Sequence, residues 1–385
     1  MVSLAQPLVR PPAPAEPHVP RPSALRHLGP AWYATVMGTA VVASAGAALP
    51  LRTPGLRTAA TALWALSAVL LAAVLAARAT RWARHRDAAR ADLLDPAVAP
   101  FYGCLPMALL AVGGATLAVG GDVLGQRAAL LVDGVLFGAG TVLGLVVAVT
   151  IPYLMVVRHR LTLADVSPVW LLPVVPPLVA AGAGAGLVPR LPAGQGREAL
   201  LLGCYAMFGL SLLATLTLLP LIAGRLTLHG PLPLALTPAM FLVLGPLGQS
   251  TTAVGRLADA APTAVGGSLP PALGAFAVVY GVPVMGFALL WLALSAALVV
   301  RALRRGMPFS MGWWAFTFPV GTCVTGAETL AHRTGLVAFQ WLAAGLFALL
   351  VSAWVTACAG TVRGLLDGAL PAGPPAPRPG TARTR

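Results

Sequence analysis

Ten apolar blocks occupy most of the chain: residues 30–49, 57–77, 101–120, 128–157, 168–188, 198–223, 233–256, 269–300, 309–331 and 335–361. About 20 apolar residues carry a helix across the hydrocarbon of a bilayer, where only structures that satisfy all their own backbone groups survive. The blocks therefore predict an all-α integral membrane protein of ten transmembrane helices. Composition excludes the soluble alternative: 58% of the 385 residues are hydrophobic, 9% are charged, and mean hydropathy is +0.85. The fourth and eighth blocks exceed an upright crossing and are expected to tilt, bend or project beyond the lipid.

The net charge of +14 invites a nucleic-acid reading. All 25 basic residues are Arg, however, and nearly all lie between apolar blocks, as membrane-flanking charges do. Nucleic acid is not expected as a partner; the lipid bilayer is. The N-terminal tail, the connections after even-numbered blocks and the C-terminal end together hold 18 arginines, and the opposite side holds 7. That asymmetry predicts a multi-pass protein of the cell membrane with both termini cytoplasmic. Residues 1–28, with Pro7, Pro11, Pro12, Pro14, Pro17, Pro20 and Pro22, read as a disordered cytoplasmic arm, and 363–385 as a disordered tail. The transmembrane domain is then 29–362. Cys104, Cys204, Cys323 and Cys358 stand singly in different blocks, and all six histidines lie in tails or connections. No metal, cofactor or catalytic residue is expected, and without a titratable cluster in any block an enzyme is not expected.

Helix breakers recur in the odd-numbered blocks: Pro106 in the third, Pro173, Pro176 and Pro177 in the fifth, Pro246 in the seventh, Pro319 in the ninth, with Gly38 in the first. Pro152 and Pro283 fall in even-numbered blocks, so the alternation is a tendency. A mid-helix proline leaves a carbonyl without its donor and bends the axis, tolerable in a membrane only beside protein or water. The breaks suggest odd-numbered helices gathered around a wet centre; the alternative is that proline is commoner in membrane helices generally. Polar residues share these blocks. Gly245, Gln249, Ser250, Thr251 and Thr252 surround Pro246; Thr317, Thr322 and Thr325 flank Pro319; Thr35 and Thr39 bracket Gly38. Hydroxyls and freed N–H groups could replace part of an anion's hydration shell. Interhelical packing by small residues is the competing reading. Two carboxylates fall well within blocks. Glu328 is read as a coupling carboxylate or as a structural partner of Arg333, and Asp133 as reaching the outer interface.

The segments GPAWYATVMGT (29–39), FLVLGPLGQS (241–250) and, above all, WWAFTFPVGT (313–322) resemble the tellurite-resistance/dicarboxylate transporter family, which includes fungal malate and sulfite transporters and plant slow anion channels. The resemblance spans residues 29 to about 362. It implies five helical hairpins with quasi-fivefold symmetry, odd-numbered helices lining a central pore, a homotrimer and a small inorganic or organic anion as substrate. It also implies a phenylalanine that closes the pore at mid-membrane. Phe318 matches that position, with Phe316 as the alternate. Two functions follow: a gated anion channel, or a proton-coupled or exchange carrier for a C4-dicarboxylate such as malate, or for sulfite, including efflux.

Overall fold

The computed structural model describes residues 24–49, 55–368 and 370. Most of the expected N-terminal arm, to residue 23, and the tail from 371 lie outside them. All regular structure among the described residues is helical, in chain order α1 (Tyr33–Ala48), α2 (Leu56–Arg84), α3 (Arg86–Leu94), α4 (Cys104–Ala115), α5 (Gly121–Leu124), α6 (Gln126–Arg158), α7 (Pro176–Leu187), α8 (Gln195–His229), α9 (Leu244–Ala264), α10 (Leu269–Arg304), α11 (Phe318–Thr334) and α12 (Val337–Leu366). Eight helical stretches are long and apolar enough to cross a membrane, and they correspond to every expected block except the fifth and ninth. Those two are interrupted, between Leu171 and Pro176 and at Thr317, so neither contains an unbroken helix of that length.

Burial sorts the elements into two layers. In the most apolar 18-residue windows of Pro30–Ala48, Ala99–Leu124 and Leu234–Ala264, 67–83% of residues are buried, against 17–28% for α2, α6, α8, α10 and α12. The α7 and α11 helices are buried along most of their length as well. What the outer helices expose is apolar, for example Leu131, Val149, Leu213, Val279 and Trp341, a surface suited to lipid. Each inner helix packs on the outer helix that follows it: α1 on α2, α4 on α6, α7 on α8, α9 on α10 and α11 on α12. Inner helices also pack on one another, α1 on α4, α4 on α7, α7 on α9, α9 on α11, and α11 back on α1.

Pro152 and Pro283 lie inside α6 and α10, whereas Pro106, Pro176, Pro246 and Pro319 fall near the starts of inner α-helices. Each inner helix is preceded by a 3-10 stretch: Pro30–Trp32, Ala99–Gly103, Pro168–Leu171, Leu234–Val243 and Met311–Phe316. Pro106 and Pro246 are third residues of α4 and α9, Pro319 is second in α11, and Pro176 opens α7. At these junctions N–H groups such as those of Cys104 and Leu244 bond back to the 3-10 stretch, and a proline placed there omits one such bond where the winding already changes. Its fixed φ instead marks where the tighter 3-10 winding relaxes into α. Outer helices satisfy carbonyls of these irregular stretches. Ser211 donates to Val174 O at 2.6 Å, and Trp291 and Ser295 donate to Met240 O at 2.9 and 3.3 Å. Such partners are what non-helical backbone needs at membrane depth.

Arg78 and Arg81, expected as solvated flanking charges, are 4% and 2% exposed. Arg78 donates to Leu28 O at 2.8 Å and stacks over Tyr102; Arg81 donates to Arg26 O at 3.0 Å and bonds Asp92. They fasten the chain entering α1 to the end of α2 and to α3.

Candidate functional site

The α9 and α11 helices share the most extensive contact of any two, and Gly248 has no side chain to separate them: a Cβ there would collide with the backbone of Thr322 and Cys323. Along the seam, Thr322 Oγ1 donates to Pro319 O at 2.7 Å, Thr325 and Thr252 share a hydrogen bond of 2.8 Å, and Thr252 also lies 3.0 Å from Gly248 O. A hydroxyl has one proton, and a carbonyl can only accept. These threonines therefore spend their protons on backbone and on each other.

Beside the seam lies a cavity of about 560 Å³, lined by the inner helices, by Leu117 and Ala118 just after α4 and by Pro189 just after α7. The α9 helix presents Gln249, Thr252 and Arg256, spaced i, i+3, i+7, and α11 presents Phe318, Thr322 and Thr325, spaced i, i+4, i+7, each set one helical stripe. Val41 and Ser44 enter from α1, Leu110 and Gly114 from α4, Val179 and Gly182 from α7. The cavity reaches the C-terminal ends of the inner helices, at Ala48, Pro189 and Thr263. A second, smaller void of about 50 Å³ is lined by the N-terminal portions of the same five segments, including Met37, Cys104, Leu172, Leu242 and Pro319. Phe318 borders the large cavity and Pro319 the small one. Phe318 is 4% exposed.

Of the residues singled out in the sequence, Phe318, Gln249, Thr252, Thr322 and Thr325 come together on the large cavity. Phe316 borders neither void; its ring packs edge-on against Phe241 and Trp313, with centroids 4.8 and 5.8 Å away. Thr317 is fully buried at the break before α11 and donates to Trp314 O at 2.7 Å. Gly38 sits beneath Thr317 and Trp314, and Thr39 accepts from Trp354 Nε1 at 3.1 Å, tying α1 to α12. Pro106 and Pro176 lie against Gly144 of α6, while Pro173 occupies the break before α7. Gly245 is at the start of α9, its carbonyl 3.2 Å from Thr322 Oγ1. Pro246 and Ser250 face away from the large cavity, into a void of about 380 Å³ between α8, α9 and α10. Glu328 is beyond Thr325 on α11, half-buried, with Oε1 buried and unpartnered. Asp133 does not reach an outer interface: it is 1% exposed and faces Gly113 of α4.

Sequence reasoning missed Arg256. It opens onto the cavity, and among the described residues it makes no hydrogen bond or ion pair within 4 Å. Asp259, three residues on, is its expected helical partner. That carboxylate is taken instead by Arg333, at 2.7 Å. With the hydroxyl protons committed, the side-chain donors left facing the cavity are the Gln249 amide and the Arg256 guanidinium. Among the described residues there is no group of three or more His, Cys, Asp or Glu placed to hold a metal ion.

Buried, partly polar helices enclosed by an apolar outer layer, with a cavity between them, define a multi-pass membrane transport protein. A family model described as voltage-dependent anion channel matches residues 27–362, and the chain belongs to that family, the grouping that the motifs at 29–39, 241–250 and 313–322 resemble. The sulfite efflux pump SSU1 of Arthroderma otae is 28% identical over 348 residues, 88% of this chain and 91% of the relative. Its counterpart from Trichophyton rubrum is 27% identical with the same coverage. An uncharacterised transporter of Methanocaldococcus jannaschii is 26% identical over 331 residues, 86% of this chain and 91% of the relative.

Proposed function

We propose that the protein conducts small anions along the axis enclosed by its five inner segments, with Phe318 as the gate. The carrying observation is that the adjacent residues Phe318 and Pro319 border two different voids lined by the same five segments. An apolar ring at a constriction blocks and dewets it until the ring or its helix moves. In this reading the interrupted fifth and ninth segments also cross the membrane, giving ten spans. The cyclic packing of inner helices, each with its own outer helix and each preceded by 3-10 winding, supports five hairpins in quasi-fivefold arrangement. The 18-to-7 arginine split supports cytoplasmic termini and a large cavity open to the outside. The plasma membrane and a homotrimer complete the proposal.

Sulfite is the first substrate to test, since relatives covering nearly the whole chain are named sulfite efflux pumps. A second reading, proton-coupled or exchange transport of sulfite or a C4-dicarboxylate such as malate, is favoured by the unpartnered carboxylate oxygen of Glu328, a group able to carry a proton. Both readings are tested by flux into proteoliposomes with chloride, nitrate, sulfite and malate, with and without a pH gradient. Conduction down each anion's own gradient, indifferent to the proton gradient, supports the channel. Uphill uptake driven by the pH gradient and abolished in Glu328→Gln supports the carrier. Absence of any anion flux overturns both.

A further inference from the structure

We propose that Arg256 is the residue by which the outer cavity recognises an oxyanion, and that Glu328 keeps that recognition weak enough for the anion to leave. The inference rests on the anion-conduit reading and deepens it. Around the C-terminal ends of the inner helices, four other arginines each hold a local carbonyl or carboxylate. Arg333 bonds Asp259 at 2.7 Å and Gly255 O at 2.9 Å; Arg197 bonds Thr263 O at 2.8 Å and Leu191 O at 2.9 Å; Arg190 bonds Gly186 O; and Arg57 grips Asp122 through two bonds of 2.6 and 2.8 Å. Arg256 alone among these lines the cavity, and among the described residues its fork of donors makes no hydrogen bond or ion pair.

A guanidinium presents two parallel N–H groups that match two oxygens of one planar or pyramidal oxyanion, a fit that a spherical halide cannot use. Gln249, two turns deeper on the same stripe, supplies a neutral amide donor nearer Phe318. An anion caught at Arg256 can thus be handed inward without meeting a second full positive charge.

The charges at this level are few. The α9 helix brings Arg256 and Asp259, and α11 brings Glu328, His332 and Arg333. The α1 helix has no charged residue, while the charged residues of α10 and α12, Arg301, Arg304 and Arg363, are at their opposite ends. Arg333 closes on Asp259, which leaves Arg256 and Glu328 as an open pair among the described residues: their chain neighbours Gly255 and Thr329 meet across the α9–α11 seam, yet the two form no ion pair within 4 Å. A bound anion competes with Glu328 for the same guanidinium. Conduction requires binding strong enough for entry and weak enough for exit, and a fixed carboxylate at this distance supplies the weakening.

The test is sulfite and chloride flux against concentration in proteoliposomes, together with sulfite-induced thermal stabilisation of the detergent-purified protein, for wild type, Arg256→Lys, Arg256→Gln, Glu328→Gln and the double variant. Arg256→Lys keeps the charge but loses the fork, so it should retain chloride flux and lose most of the preference for sulfite, roughly tenfold for one lost charge-assisted bond. Arg256→Gln should raise the half-saturating sulfite concentration and abolish stabilisation by sulfite. Glu328→Gln should lower that concentration and slow maximal flux. The double variant should match Arg256→Gln, because Glu328 has nothing left to act on. The inference is overturned if Arg256→Gln and Arg256→Lys, both monodisperse and folded, retain wild-type half-saturation and selectivity, or if Glu328→Gln shifts half-saturation equally with and without Arg256. A wild type that carries no anion defeats the conduit reading instead, and stabilisation by sulfite that needs Arg256 would still uphold the recognition site.

Discussion

Two phenylalanines two residues apart meet different surroundings, and their substitution should have opposite consequences. Phe318 borders a cavity, so its truncation leaves a gap that water from the cavity can enter. Each 1.4 kcal/mol removed from the permeation barrier speeds flux about tenfold. Phe318→Ala should therefore raise basal anion flux at least tenfold and blunt selectivity. Phe316 is held between Phe241 and Trp313. Its loss forfeits two aromatic contacts of about 1 kcal/mol each and the packing around them. Phe316→Ala should lower the melting temperature without opening the pathway. Flux per folded protein, measured for both, checks the pair; a gain from Phe316→Ala alone would put the gate at the wrong residue. The aromatic at this position was legible from its motif. Arg256 was not, since Asp259 three residues away masks it in the sequence, and only the folded chain shows Arg333 claiming that carboxylate.

Elements were legible where they face lipid and misleading where they face each other. The outer helices have mean hydropathy of 2.0–2.2, while the inner stretches that qualify as spans have only 1.2–1.7, because they trade leucine for glycine, threonine and proline. Hydropathy alone would call the inner helices weaker membrane segments, whereas their lower value reflects burial against protein. Pro106, Pro176, Pro246 and Pro319 mark the inner set by standing where its α-helices begin. They sit in first turns, where the 3-10 to α change lies beyond the reach of composition. A consequence separates the two accounts. If Pro319 starts α11, Pro319→Ala should shift stability by less than about 1 kcal/mol, the range of proline effects at compatible sites. If it maintained a mid-helix kink, the same change would straighten the helix and alter flux strongly. Gly248 should be far less tolerant. A methyl there must push α9 off α11, an overpacking cost of about 1–3 kcal/mol. Gly248→Ala is expected to lower the melting temperature and flux together, read by thermal unfolding and proteoliposome transport.

At the scale of the whole molecule, orientation decides which side the Arg256 cavity serves. The 18 arginines assigned inward include Arg78 and Arg81, which the fold uses to clamp the chain before α1 onto α2 and α3. A buried clamp still contributes to orientation, since positive charge is counted before folding is complete, when loops are committed to one side or the other. On the opposite side, Arg57 and Arg333 pair with Asp122 and Asp259, while Arg190 and Arg197 bond only carbonyls and Arg256 has no partner among the described residues. The 18-to-7 split favours a chain that enters and leaves on the inner face, with the large cavity opening outward. The segment between α7 and α8 offers a place to check this. Gly194 adopts φ +130, and residues 189–196 are exposed, so a short tag there should not disturb packing. A reporter fused after Arg363 should read cytoplasmic, and one inserted at Gly194 should read external. The two sites are separated by α8, α9, α10, α11 and α12, an odd number of elements if the interrupted α11 segment crosses. If α11 only dips into the membrane and returns, both reporters will fall on the same face, and the ten-span arrangement with its outward cavity fails together with the assignment of α11 as a pore-crossing helix.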